Sequence, residues 1–235
     1  MELLKEVERI SRDIGNKRTL QGSLGSQGNI LRKLGKTDEA MKLHKEVERI
    51  SREAGDKHGL MICLNNQGTV HFTCGEIDKA MTLNIEVEQL CRELKEKIYL
   101  MHCLNNQGEI LIVQGEFDKA MKLSKETEQM CREIGDKQAL AINLHHQSSV
   151  LTIRGEFDKA MILLKEIEQI CNELRLPEEL ASSYNIQASI LLQTGKTDEG
   201  LLLAKEAHRI ASEHGYKAIL EETESILDKF LSQPQ

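Results

Sequence analysis

Apolar and polar positions alternate along this chain at helical spacing, and the whole pattern returns every 40 residues. Five evenly spaced glycines each begin a short turn, and apolar side chains follow at offsets of three and four, which is the spacing of one helix face. In the second copy this stripe runs through Ala80, Leu83, Val87 and Leu90. The same spacing recurs in the other copies and predicts one amphipathic helix after each of these five glycines: Gly35, Gly75, Gly115, Gly155, Gly195.

Another helix is predicted just before each glycine, and it is the first of the two helices in its repeat. It carries a large side chain, a small residue and a further apolar residue, as in Leu64, Gly68 and Val70. The small residue allows two helices to approach closely where they cross. Stop and start signals agree, because Gly55-Asp56 and Gly135-Asp136 each supply a C-terminal glycine and an N-cap. Pro177 is suited to the first turn of a helix.

These patterns predict twelve helices in a single all-α domain that spans residues 1–235. A half repeat, 1–14, precedes the full repeats 15–54, 55–94, 95–134, 135–174 and 175–214, and a capping helix covers 217–232. Glutamates replace apolar residues in the capping helix, which suits the end of a repeat array in water. The first helix has an apolar side without a preceding helix, so we expect the chain to be part of a longer protein or to self-associate there.

Gly68 is the small residue of the second copy, Gly75 follows it by seven positions, and Ala80 follows Gly75 by five. This spacing resembles the tetratricopeptide repeat (TPR). The 40-residue period and the phrase Leu64-Asn65-Asn66-Gln67-Gly68 resemble the long repeats of kinesin light chain and of the Partner-of-Inscuteable family. The resemblance implies a right-handed α-solenoid of antiparallel helix pairs, whose concave face is lined by the first helix of each repeat.

The resemblance also implies where a partner would bind, because groove residues take fixed places on the first helix. Asparagine carries both a donor and an acceptor, so a row of asparagines can hold the backbone of an extended peptide. The alternative is that these side chains pack against neighbouring helices. The predicted partner-binding residues are Asn29, Asn65, Asn66, Thr69, Asn105, Asn106, Glu109, His145, His146, Ser149, Asn185 and Ser189.

One glutamine recurs at the same position of every repeat. Buried amides need partners, so we interpret this row as a structural hydrogen-bond ladder between adjacent helices, with ligand contact as the alternative. The members are Gln27, Gln67, Gln107, Gln147 and Gln187.

Composition narrows the class of partner. The net charge is −7, which argues against nucleic acid, whose binding depends on lysine and arginine neutralising phosphates. The sequence has no signal peptide and no apolar stretch of membrane-spanning length, so we expect no membrane association. Its six cysteines then favour reduced thiols in the cytoplasm.

Candidate chemistry adds little to this picture. His145, His146 and His102 suggest a metal site, but adjacent helical residues point about 100° apart and no further ligand spacing is present. Cys91, Cys131 and Cys171 recur in register, which is typical of small core residues. We therefore expect no cofactor, no metal and no enzyme activity.

The sequence favours a scaffold that binds a peptide or helix of a partner protein in the groove. The alternative is a sensor or autoregulatory segment of a larger signalling effector, such as an ATPase or a protease.

Overall fold

A computed structural model describes residues 1–231 of the chain. The twelve predicted helices are present in this part, and the last predicted position of the capping helix, Ser232, lies outside the described residues. The helices are α1 Glu2–Asp13, α2 Lys17–Lys33, α3 Thr37–Ala54, α4 Lys57–Thr73, α5 Ile77–Leu94, α6 Lys97–Val113, α7 Phe117–Ile134, α8 Lys137–Ile153, α9 Phe157–Leu174, α10 Pro177–Gln193, α11 Thr197–His214 and α12 Lys217–Leu231.

The helix boundaries follow from the turn chemistry of the sequence. Asp56 caps α4 by accepting a hydrogen bond from the backbone N–H of Gly59 at 2.9 Å. Asp136 caps α8 in the same way, and Gly55 ends α3 in the left-handed conformation at φ 65°. The predicted N-caps are confirmed, as is the position of Pro177 at the start of α10.

The chain divides into two compact units, Met1–Gln114 and Gly115–Gln235. In the first unit, α2 packs on α3 and α4 packs on α5, and Leu24, Leu64 and Val87 are among the buried core residues. In the second unit, α8 packs on α9 and α10 packs on α11, around buried residues that include Leu144 and Ile167. Each pair is two helices joined by a short turn, as the repeat predicts.

Helix α12 packs on the second unit through one face only. Ile226 and Phe230 are buried in a cluster with Ala188 and Ala204, while the glutamates of α12 are exposed. Leu231, the last residue of α12, is 77 % exposed. The outward face of α12 is therefore polar and in contact with water.

Phe230 also explains a departure from the repeat at residue 200. The first four copies have alanine at this position and the fifth has Gly200. A Cβ atom added there would lie 2.6 Å from the Phe230 ring. An alanine at position 200 would therefore require the Phe230 ring of α12 to move.

The recurring glutamine forms the predicted ladder in four of the five copies. The Gln67 side chain is buried and donates to the Glu48 carboxylate, on the preceding helix, at 2.7 Å. Arg52 lies one turn after Glu48, and it binds that carboxylate and also Glu86 of the next repeat. The equivalent amide–carboxylate pairs are Gln27–Glu8, Gln107–Glu88 and Gln147–Glu128.

The hydrogen bonds of the ladder affect the ionisation of Glu48. Burial acts to raise the pKa of Glu48, but the hydrogen bonds from Gln67 and Arg52 outweigh it, so the pKa is lowered. The fifth copy lacks the pair, because Gln187 donates to Ser183 of its own helix. The structural interpretation of the glutamine row is thus confirmed for the first four copies.

The recurring cysteines are core residues, as the register predicts. Cys63, Cys91, Cys103, Cys131 and Cys171 are buried free thiols, and Cys74 is exposed. Burial raises the pKa of Cys63 and Cys171 to about 12. A thiol with such a pKa has little thiolate character at neutral pH.

Candidate partner-binding surface

The predicted binding residues fall into three rows on the first helix of each repeat, and the structure places each row differently. Gly25, Ser26 and Ile186 complete these rows but are not among the twelve predicted residues. The first row is Gly25, Asn65, Asn105, His145 and Asn185; the second is Ser26, Asn66, Asn106, His146 and Ile186; the third is Asn29, Thr69, Glu109, Ser149 and Ser189. All fifteen residues lie on α2, α4, α6, α8 or α10.

The first row is used largely for contacts between helices. Asn185 is fully buried, and its side-chain oxygen accepts a hydrogen bond from the Thr223 hydroxyl of α12 at 2.9 Å. Its amide nitrogen donates to Glu222 at 3.3 Å. Asn105 is buried as well, with 4 % of its surface exposed. Two of the four predicted residues in this row are therefore closed to a partner in this structure.

The other polar members of the first row also bind neighbouring helices. The oxygen of Asn65 accepts a hydrogen bond from the Asn106 amide at 3.1 Å, which joins α4 to α6. The Nε2 atom of His145 lies 3.0 Å from the backbone oxygen of Glu179, at the start of α10. Burial lowers the pKa of His145, although the bond to Glu179 opposes that shift.

The second row leaves more polar atoms available. Asn66 is partly exposed, and no side-chain hydrogen bond of its amide is present among residues 1–231. Asn106 is also partly exposed and uses its amide nitrogen to reach Asn65. In the second unit, the Nδ1 atom of His146 is buried and has no hydrogen-bond partner in the described part of the chain, and burial lowers the pKa of this histidine to about 4.

The third row is accessible along most of its length. Asn29, Ser149 and Ser189 are partly exposed, while Thr69 is partly exposed and donates to the backbone oxygen of Asn65. Glu109 is exposed and, together with Phe72 and Asn106, lines a small cavity of about 40 Å³. Desolvation by the surrounding atoms raises the pKa of Glu109.

The available surface of the candidate site therefore comes from the second and third rows. In the first unit it comprises Asn29, Asn66, Thr69, Asn106 and Glu109, and we call these five residues the amide face. In the second unit, His146, Ser149 and Ser189 are the accessible members of these rows.

A larger cavity in the first unit was not predicted from the sequence. It has a volume of about 830 Å³ and lies between α2 and α4, above α3. Asn29 and Asn66 of the amide face line it, together with Gly22, Gly25 and His44. The sequence feature that corresponds to this cavity is the set of small residues at positions 22, 25 and 26 of the first repeat. At the equivalent positions, the other repeats do not have small residues at all three places.

The apolar side of α1 is exposed. Leu3 is 83 % exposed and Ile14 is 68 % exposed, and Val7 and Ile10 lie on the same helix with substantial exposure. The equivalent residues of α3, Val47 and Ile50, are buried.

Among residues 1–231, no three histidine, cysteine, aspartate or glutamate side chains are placed to hold a metal ion together. Within the same residues, none of the helices combines the length and apolar character that crossing a membrane requires.

Comparison with known proteins places this geometry in a family. The sequence profile of the family "Anaphase-promoting complex subunit 5" matches residues 4–67 and 96–154, just over half of the chain. The chain belongs to this family. It is a TPR-like family, so the membership agrees with the repeat pattern. No curated protein matches the sequence significantly.

Solved structures show the same fold at low identity. BtubC (BKLC) from P. vanneervenii is 16 % identical with a TM-score of 0.72, covering 90 % of this chain and 88 % of that one. Aspartyl phosphate phosphatase F from Bacillus subtilis is 15 % identical with a TM-score of 0.77, and the match covers 96 % of this chain but only 60 % of the phosphatase. A thermophilic TPR protein from Thermus thermophilus is 20 % identical with a TM-score of 0.64, covering 88 % of this chain and 98 % of that one. This family member is thus an all-α TPR solenoid.

Proposed function

We propose that this chain binds an extended segment of a partner protein along the amide face. The proposal rests on Asn66, whose side-chain amide is partly exposed and has no hydrogen-bond partner among the described residues. An amide without an internal partner offers one acceptor and two donors to the backbone of another chain. This is the arrangement that peptide recognition by main-chain hydrogen bonds requires.

The neighbours of Asn66 support an extended ligand. The hydrogen bond from Asn106 to Asn65 fixes α6 against α4, so the polar atoms of two successive repeats are held at a constant spacing. Thr69 and Glu109 continue the same surface by one helical turn. A rigid row of this kind reduces the ordering cost of binding.

The experiment is capture of partners by the tagged chain, followed by mass spectrometry and measurement of affinity for the recovered partner. Asn66→Ala should weaken binding by roughly three- to tenfold, which is the value of about one hydrogen bond. Its thermal midpoint should stay close to that of the unchanged protein, because no internal hydrogen bond of the amide is lost.

Two variants serve as controls. Lys42→Ala changes an exposed residue of α3 away from the amide face and should leave affinity unchanged. Asn185→Ala removes the buried bond with Thr223 and should lower the thermal midpoint instead. Equal affinities for the unchanged chain and Asn66→Ala would contradict the proposal.

A further inference from the structure

The 830 Å³ cavity of the first unit exists because α2 lacks side chains on the side that faces α4. Gly22, Gly25 and Ser26 stand where the next repeat has Ile62, Asn65 and Asn66. A Cβ atom added to Gly25 would meet nothing within 4 Å, so the space beside this helix is open. The volume is in the range of pockets that hold small organic ligands, about 300–1,000 Å³.

A buried histidine without a partner lies at the base of this cavity. His44 of α3 is fully buried, and its ring packs so closely on α2 that a Cβ atom on Gly28 would lie 2.6 Å from it. Neither ring nitrogen has a hydrogen-bond partner among residues 1–231. Buried polar side chains nearly always have one, so His44 marks a position where a ligand group completes the hydrogen bonding.

The ionisation of His44 restricts the chemistry of that group. Burial, with a smaller contribution from the charge of Arg32, lowers the pKa of His44 to about 4. At neutral pH the ring is therefore uncharged, with one donor and one acceptor nitrogen. A hydroxyl group, which also donates and accepts, matches a neutral imidazole, whereas a carboxylate gains no ion pair from it.

The remaining walls restrict the rest of the ligand. Val47, Ile62 and Cys63 line the cavity beside the glycine backbone, and most of the lining surface is apolar, although Lys17, Arg18, Asp56 and His58 also line it. An aromatic ring is rigid and removes about 150–250 Å² from water when it is buried. Asn29 and Asn66 lie in the same lining and supply amides suited to peptide groups.

We propose that this cavity binds a phenol ring, namely the side chain of a tyrosine in the partner segment, with its hydroxyl hydrogen-bonded to His44. The assignment of the ring to a partner segment rests on the proposed function, because it uses the same face of α4. The cavity volume exceeds that of one side chain, so residues flanking the tyrosine enter with it.

The test uses two soluble probes that differ by one hydroxyl, N-acetyltyrosinamide and N-acetylphenylalaninamide. Binding is followed by NMR of the intact chain, from the shifts of the His44 ring protons during titration. The tyrosine probe should bind about three- to tenfold more tightly, since the added group makes one buried hydrogen bond. His44→Asn, which installs the residue of the second repeat at this position, Asn84, should reduce that preference.

A second variant tests the cavity itself. Gly25→Leu fills the open space and should abolish binding of both probes, while its thermal midpoint stays equal or rises because leucine favours a helix interior over glycine. Lys122→Leu, at an exposed position of α7 in the second unit, is the control and should leave probe binding unchanged.

Three results would overturn the inference: equal affinities of the two probes for the unchanged chain, no binding of either probe at its solubility limit, or undiminished binding to Gly25→Leu. None of these depends on the partner protein. If the partner is still captured and Asn66→Ala still weakens it, the proposed function stands while the phenol site falls. If the probes behave as expected and Asn66→Ala does not change affinity for the partner, the phenol site stands and the proposed function falls.

Discussion

The amide–carboxylate ladder allows a sharp prediction about Glu48. Its carboxylate accepts hydrogen bonds from the buried Gln67 amide at 2.7 Å and from Arg52 at 2.8 Å. Glu48 is the only side-chain partner of Gln67 among residues 1–231. Glu48→Ala therefore leaves a buried amide without an acceptor.

The magnitude follows from the two bonds lost. An unsatisfied buried amide costs about 1–3 kcal/mol. The pair with Arg52 is half exposed, so solvent screening limits its contribution to about 0–1 kcal/mol. We expect Glu48→Ala to lower the free energy of unfolding by about 2–3 kcal/mol.

Equilibrium unfolding in urea measures this loss, and a double-mutant cycle with Gln67→Leu assigns it. When leucine replaces the amide, no buried donor remains to be left unpaired, so the double variant should lose less than the two single variants together. The expected coupling energy is about 1–2 kcal/mol.

The chain supplies a matched control at Glu168, the equivalent residue of the fourth full repeat. Within the described residues 1–231, the only side-chain hydrogen bond that Glu168 accepts is a long one of 3.3 Å from Tyr184, and Gln187 donates to Ser183 instead. Glu168→Ala should therefore cost less than about 1 kcal/mol. Equal losses at Glu48 and Glu168, or a coupling energy near zero, would refute the ladder as a source of stability.

Three further predictions concern single positions. Lys95 and Arg175 adopt left-handed backbone conformations at φ 59° and 56°, where other repeats have glycine, so Lys95→Gly and Arg175→Gly should each raise the free energy of unfolding by about 1 kcal/mol in urea titrations. Gly200→Ala, normally favourable inside a helix, should instead lower the thermal midpoint, because the new methyl group meets the Phe230 ring; an increase would contradict this close packing. The pKa of His44 is about 6.5 in the unfolded chain and about 4 in the folded chain, so the free energy of unfolding should decrease as pH falls through this interval, by up to about 3 kcal/mol at its lower end. Urea unfolding at several pH values measures this decrease, and His44→Asn should remove the part that His44 causes.

The fold is predictable from the sequence because each position of the repeat occurs in five copies, which show together whether that position is apolar, polar or small. Gly55 and Asp56 determine where α3 ends and α4 begins, through a left-handed residue and a cap that depend on local chemistry alone. The glutamine ladder was predictable for the same reason, since a polar residue that recurs inside an apolar register needs a recurring partner.

The candidate site was predicted less completely because accessibility depends on the rotation of each helix about its axis. Residues 65 and 66 differ by about 100° in direction, and the register does not say which of the two faces the next helix. Asn185 is consequently buried against Thr223, although it aligns with Asn65. The cavity above His44 was not predicted, because it is formed where Gly22 and Gly25 have no side chains. Two glycines in a single repeat do not form a recurring pattern that indicates a cavity.

Site-specific photocrosslinking tests the location of partner binding most directly. A photoreactive benzoylphenylalanine is placed at position 66, on the amide face, or at position 42, on the exposed side of α3, and each protein is irradiated with the partner recovered by capture. We predict a covalent adduct from position 66 and none from position 42. An adduct from position 42 alone would show that the partner binds outside the amide face and would contradict the account.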